Sequence, residues 1–272
     1  MHISLDSALG RPPRLIGESI NSIAASAAAY SLRSLTGGDP EVVNVRRSTG
    51  GEEKFTASEI SSGALVAYVG SGNDGFVETW YDQSGNGKNA TQTDTDKQPK
   101  IVSSGSLIVD SAGLPEIDFD GSDDRLEIDF GSNLSQPNSI LFVHQSDLTG
   151  DTNNEFFDEL GGSVRTLFDT GSNKYRPFAG VVTDSGVSID TNKNLVFAFY
   201  EGSSSRMSKN GTVTSAINIG TNAIAQTSAI GFSEGTGNNY NGTMQEFIVY
   251  NSNQVSNRTK IETNIMNYYS IS

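Results

Sequence analysis

From Glu41 onward, short apolar-rich runs alternate with clusters of Gly, Asn, Asp and Ser. Strands are read at Val42–Arg46, Phe76–Tyr81, Lys100–Val102, Leu107–Val109, Glu116–Phe119, Arg125–Phe130, Ser139–Gln145, Arg165–Asp169, Leu195–Tyr200, Arg206–Lys209, Ser228–Phe232 and Gly242–Tyr250. Each is rich in β-branched and aromatic residues and stops at turn chemistry. Asp120-Gly121-Ser122-Asp123, Lys209-Asn210-Gly211-Thr212 and Asn241-Gly242 supply the positive φ that tight hairpins need. All seven prolines (12, 13, 40, 99, 115, 137 and 177) fall at or outside the ends of these runs, as a hydrogen-bonded ladder requires. A short helix at about Ala57–Gly63 interrupts the strands. Val255–Tyr269, with Ile261, Ile265 and Tyr268 on one face, reads as a closing helix that Ser256 or Asn257 can cap. Turn signals every ~8–12 residues argue for an all-β sandwich and against βαβ units.

The N-terminal region breaks this pattern. Ile16, Ile20, Ile23, Ala27 and Tyr30 recur at helical spacing, after Pro12-Pro13 and before Thr36-Gly37-Gly38. The expectation is a helix over about residues 15–35, packed on its own domain or serving as a docking or oligomerising helix behind an extended arm. The chain then divides into an N-terminal arm and helix at 1–38 and one β domain at 39–272.

Composition narrows the chemistry. With 18 Lys+Arg against 32 Asp+Glu the net charge is −14, which argues against nucleic acid and against an anionic membrane, since both are bound by basic residues. The absence of cysteine excludes disulfides, thiolate nucleophiles and cysteine zinc sites. His2 and His144 are too few for a multi-histidine metal centre. His144 lies in a strand pattern with no Gly-x-Ser-x-Gly elbow to make a triad. Gly70-Ser71-Gly72-Asn73-Asp74-Gly75 lacks the lysine and helix of a phosphate loop. No apolar run reaches the ~18 residues of a membrane-spanning helix. The first residues, MHISLDSALGRPPR, carry no secretory pattern, so work outside a cell is expected to depend on another route.

Two blocks carry most of the candidate chemistry. In Trp80-Tyr81-Asp82-Gln83-Ser84-Gly85-Asn86-Gly87, Trp80 or Tyr81 can stack on a sugar ring while Asp82, Gln83 and Asn86 bind hydroxyls. The competing reading is a core tryptophan beside a turn that satisfies its own backbone. In Asp118-Phe119-Asp120-Gly121-Ser122-Asp123-Asp124, the carboxylates of Asp118, Asp120, Asp123 and Asp124 can contribute oxygens to calcium. Here the competing reading is a hairpin turn with solvated acids, and the expectation is no cofactor.

The first block, extended to Lys88-Asn89-Ala90-Thr91-Gln92, together with Ile117–Asp124 and Gly242–Tyr250, resembles the concanavalin A-like (laminin-G-like) jelly roll. Ala28–Arg33 and Val45–Ser48 resemble the entry segment of a subgroup found in bacteriophage virion proteins. The Tyr-Asp-Gln-Ser-Gly-Asn-Gly signature is also similar to the catalytic domain of α-L-arabinofuranosidases of glycoside hydrolase family 54. The resemblance spans roughly residues 24–269 and implies a two-sheet jelly roll of a kind that binds glycans, hydrolyses them or builds structure. From the arabinofuranosidase likeness, the acid/base position falls at Glu234 and the nucleophile position near Val181–Asp190, whose acids are Asp184 and Asp190. Neither sits in a glutamate motif, and the family's cysteines are absent here.

The leading expectation is a non-enzymatic phage virion protein, located on the virion as a capsid decoration, fibre or tail appendage. It would display a lectin-like domain toward host-surface glycan, attach to other virion proteins through its N-terminal region and form a homo-oligomer. The alternative is a glycan-degrading enzyme, an arabinofuranosidase-type glycoside hydrolase or virion depolymerase, acting through Glu234.

Overall fold

A computed structural model describes residues 19–147, 154–161, 166–169, 173–234 and 237–272, the strand 166–169 by its backbone alone. The chain forms two antiparallel sheets packed face to face. In the first, Thr212–Val213, Arg206–Lys209, Lys193–Tyr200, Asn138–Ser146 and Asn241–Tyr250 lie side by side. Ala28–Ser31 and Ile117–Asp120 share the far edge of Asn241–Tyr250. The second sheet runs Glu52–Thr56, Glu41–Arg47, Gly75–Trp80, Ala90–Thr91, Leu126–Asp129, Thr227–Ile230, Asn154–Glu159, Thr166–Asp169, Tyr175–Phe178. Lys100–Ser103 joins the two, pairing with Gly75–Trp80 and with Ile117–Asp120. This is the all-β sandwich that the alternating runs imply.

Alternation decides what lies between the sheets. Ile140 and Phe142, Met244, Phe247 and Val249, Leu126 and Ile128, and Val43 and Val45 with Trp80 all enter one buried cluster. On the other face of the first sheet, Leu141, Val143, Leu195, Phe197, Ile248 and Tyr250 pack under the helix Arg258–Tyr269, which presents Ile261, Ile265 and Tyr269. Asn257 occupies that helix's N-cap position, but its side chain donates to Gln254 Oε1 rather than capping. The helix at Ala57–Ser62 begins with a reciprocal Thr56–Glu59 capping box.

The expected helix over residues 15–35 is corrected. Among the described residues only Ile20–Ile23 is helical there, and Ala28–Ser31 is a strand paired with Val249–Glu246. All four residues of this strand are buried, because Ala28 and Tyr30 face the interior while Ala29 faces the outer cluster. Buried on both faces, the strand shows no polar alternation, and its small residues read as helix. The arm at residues 1–18 lies outside the described residues.

Pro177 is a second correction, since it sits inside the strand Tyr175–Phe178. The N–H groups of Tyr175 and Ala179 donate away from Thr166–Asp169, to Val187 and Ile219 carbonyls. Pro177, between them on the same edge, is where the ladder loses no donor.

Candidate functional site

The Trp80 block folds inward. Trp80 is fully buried, with its ring 5.8 Å from that of Tyr30, so it offers no face to a sugar. Asp82 accepts from the N–H groups of Ala29 (2.9 Å), Ser84 (2.8 Å) and Lys88 (2.9 Å), and from the Ser84 hydroxyl (2.7 Å). Gln83, also buried, donates to the carbonyls of Ser31 and Arg33 and accepts from Leu35 N–H. Asn86 donates to the Ser26 and Ala27 carbonyls. The polar groups expected to bind hydroxyls are spent on the strand Ala28–Ser31 and its flanks. Tyr81 is half-buried, with Lys54 Nζ 5.5 Å from its ring centre.

At the Asp118–Asp124 turn, the carboxylate oxygens of Asp120, Asp123 and Asp124 lie within 4.8 Å of one another, and Asp118 stands outside this group. Asp120 Oδ1 accepts from Ser122 (2.7 Å) and Asp123 (3.4 Å), and Asp124 Oδ2 accepts from Asp120 N–H (3.0 Å). Burial, then the charge of Asp120, pushes the Asp124 carboxyl up to about 7. These are the bonds of a self-satisfied Asx-type turn.

A different carboxyl group meets Glu234. The strand Asn154–Glu159 pairs with Thr227–Ile230 so that Phe157 faces Ile230 and Asp158 faces Ala229. Phe157 and Ile230 belong to the interior cluster, which puts Asp158 on the outer face, in one row with Ala229, Glu127, Thr91, Thr79 and Asn44. Asp158 is nonetheless only 1% exposed. Its Oδ2 accepts the backbone N–H of Glu234 at 3.0 Å and its Oδ1 that of Glu159 at 2.8 Å. Glu234, half-buried, in turn accepts the N–H of Gly161 on Oε2 at 3.2 Å. Ser233 is fixed by Asn239, whose Oδ1 accepts its N–H at 2.9 Å, so the segment bearing Glu234 is held on both sides.

Burial dominates the electrostatics at Asp158 and raises its carboxyl to about 8. The two N–H donors pull the other way, and the neighbouring acids Glu155 and Glu159 add to the rise. Asp158 therefore keeps its proton at neutral pH, under the backbone N–H of Glu234. Farther along the same outer face, Arg125 Nε donates to Glu127 (2.8 Å) and its guanidinium stands 5.1 Å from the Phe232 ring centre. The Arg46 Nε donates to Gln98 (2.7 Å).

Asp184 and Asp190 are not brought to Glu234. Asp184 accepts Gly186 N–H, and Asp190 is tied to Asn192, Asn194 and Lys209 at the far side of the Tyr175–Phe178 strand. The partner of Glu234 is Asp158, 76 residues away in the chain, which sequence reasoning missed. His144 is buried between Tyr175 OH (2.8 Å from Nε2) and Tyr240 OH (3.2 Å from Nδ1), and burial lowers it to about 3. It is a neutral core imidazole, with no serine hydroxyl bonded to it among the described residues.

The fold is an antiparallel two-sheet sandwich with a buried carboxyl, Asp158, on the outer face of one sheet, bonded to the backbone of Glu234. Among solved structures, this sandwich is similar to an arabinofuranosidase complexed with arabinofuranosyl-α-1,2-xylobiose, with a TM-score of 0.70 at 13% identity over 92% of this chain. It is similar also to glycoside hydrolase family 54 α-L-arabinofuranosidases soaked with a cyclic sulfate inhibitor (TM-score 0.65) or, as a mutant, with 4-nitrophenyl α-L-arabinofuranoside (0.68), each at 12% identity over 89% of this chain. The matches span 64%, 62% and 62% of those chains, less than two thirds of their length. At such identities the likeness is one of fold. No family model matches the sequence, and no curated protein does.

Proposed function

We propose that this chain is a glycan-degrading domain, a glycoside hydrolase of arabinofuranosidase type. The observation that carries the reading is Asp158, a carboxyl held protonated at neutral pH and joined by one hydrogen bond to the backbone of Glu234. Glycosidic hydrolysis needs one carboxyl that gives a proton to the departing oxygen and a second that attacks the sugar or activates water. Asp158 takes the first role as C1–O cleaves, and Glu234, the more exposed of the two, takes the second. The proton-donating role that the resemblance implies for Glu234 thus moves to Asp158. The virion-appendage expectation rests on the entry-segment resemblance, whereas the acid pair speaks for chemistry.

The test is release of 4-nitrophenol from 4-nitrophenyl α-L-arabinofuranoside and of arabinose from arabinoxylan. Wild type is expected to turn over one of them, and Glu234→Gln and Asp158→Asn each to lose at least about a hundredfold in kcat, the usual scale for a general acid or base. Activity that survives both substitutions, or none in wild type on any furanosidic or pyranosidic substrate, overturns the reading.

A further inference from the structure

A second polar site lies away from the acid pair. A cleft of about 880 Å³ opens beside the strands Lys193–Tyr200 and Arg206–Lys209, and Asp158 and Glu234 are not among its walls. Its volume is within the ~300–1,000 Å³ of small-molecule sites. Asp190, Asn192, Lys193, Asn194, Lys209 and Asn210 form much of the lining, which holds no aromatic side chain to stack a base.

Hydrogen bonds fix this wall in advance. Asn194 Nδ2 donates to Asp190 Oδ1 (2.9 Å) and to the Asn192 carbonyl (2.8 Å). Asn210 Nδ2 donates to Asn194 Oδ1 (3.0 Å), while its own Oδ1 accepts Leu195 N–H (2.9 Å). Lys209 Nζ donates to the Ser188 carbonyl (2.9 Å) and Asp190 Oδ2 (2.6 Å). Lys193 pairs with Asp110, whose side chain is 1% exposed and lies outside the cleft lining. An ammonium has three donors, so Lys209 keeps one and Lys193 two without an acceptor among the described residues. The cleft therefore offers the spare donors of two ammoniums, each beside one carboxylate, Asp110 or Asp190, with the exposed Asn192 and the hydroxyls of Ser111 and Thr212 in the lining to meet sugar hydroxyls.

We infer that this cleft binds a uronate-bearing oligosaccharide, the sugar carboxylate seated on the spare donors of Lys193 and Lys209 and the ring hydroxyls on Asn192 and the neighbouring Ser111 and Thr212 hydroxyls. The site is independent of catalysis at Asp158 and Glu234, and gives the chain a hold on acidic glycan.

Isothermal titration of trigalacturonate into the Glu234→Gln protein tests this, since that variant cannot consume the ligand under the reading above. Trigalacturonate is expected to bind, and its methyl ester at least about tenfold more weakly, because the ester loses the charge that strengthens the bonds from the ammoniums. Lys193→Met and Lys209→Met should each weaken trigalacturonate binding by about tenfold. Asn192→Ala, at an exposed side chain, should weaken it about threefold with the melting temperature unchanged, and decides the matter if a lysine variant does not fold. Equal binding of acid and ester, no binding of either, or inorganic phosphate binding as tightly as trigalacturonate overturns the proposal. Arabinofuranoside turnover, measured separately in Asn192→Ala with wild-type Glu234, is expected to be unchanged, so the two readings fail independently.

Discussion

Replacing Asp158 by asparagine should stabilise the protein, and by an amount that depends on pH. The folded carboxyl titrates at about 8, against 3.8 for the ordinary carboxyl that stands for the unfolded chain. Between these values the folded protein binds one more proton than the unfolded one. The stability this group contributes is then complete below 3.8 and is lost as pH rises toward 8, at about 1.36 kcal/mol per pH unit. Asparagine does not titrate. It keeps one of the two backbone bonds that Asp158 accepts from Glu159 and Glu234, a loss on the order of 1 kcal/mol that is the same at every pH. Comparing two pH values cancels that offset. From about pH 5 to about pH 7.5 the variant should gain roughly 3 kcal/mol on wild type. Urea unfolding at both pH values reads this directly, with the lone Trp80 as a buried fluorescent probe, provided the slope m is unchanged. A difference between the two proteins that stays constant with pH would falsify the protonated state of Asp158 and remove the ground for its catalytic role.

Three further outcomes follow from buried groups. Arg33 and Glu246 form an ion pair 8% and 0% exposed under the helix Arg258–Tyr269, so Arg33→Met should cost about 3–5 kcal/mol in urea unfolding by leaving the buried Glu246 charge without a cation, held only by the Ser31 and Tyr269 hydroxyls; a loss under 1 kcal/mol contradicts this. Trp80 is fully buried, so its emission should be blue-shifted and unmoved by any saccharide, and a sugar-dependent shift returns it to the list of binding residues. Calcium at about 1 mM should leave the melting temperature unchanged, because Asp120 and Asp124 already accept turn N–H groups; a chelator-reversible rise means a bound ion instead.

Where one sheet face is apolar and the other polar, the strands were legible, as in Leu126–Asp129 or Glu41–Arg47. Strands buried on both faces were legible where the run is mostly apolar, as in Lys193–Tyr200, and not where acids or small residues stand at buried positions. Asn154–Glu159 is buried at all six positions, three of them acidic, and its register shifts between Glu155 and Phe157, which places Phe156 and Phe157 both in the interior. A bulge of this kind breaks the period of two on which strand reading depends. This unread strand carries Asp158. Glu234 was reachable through a local resemblance, but its partner is set by sheet pairing across 76 residues, which no local pattern encodes.

The most distinctive motif of the chain sharpens the same point. Trp80–Asn86 looked like a sugar site because it concentrates an aromatic, an acid and two amides. In the fold those groups clamp residues 26–35 to the body of the sandwich: Asp82 to Ala29, Gln83 to Ser31, Arg33 and Leu35, and Asn86 to Ser26 and Ala27. Without the clamp, the edge strand Ala28–Ser31 would meet the sheet through its pairing with Asn241–Tyr250 alone, with no help from polar alternation in setting its register. A motif with that duty travels with the architecture whatever the domain does. The likeness to arabinofuranosidase structures is one of fold. Chemistry must be argued instead from groups that folding leaves at a cost, and Asp158 is such a group, since an asparagine there would be the more stable choice at neutral pH.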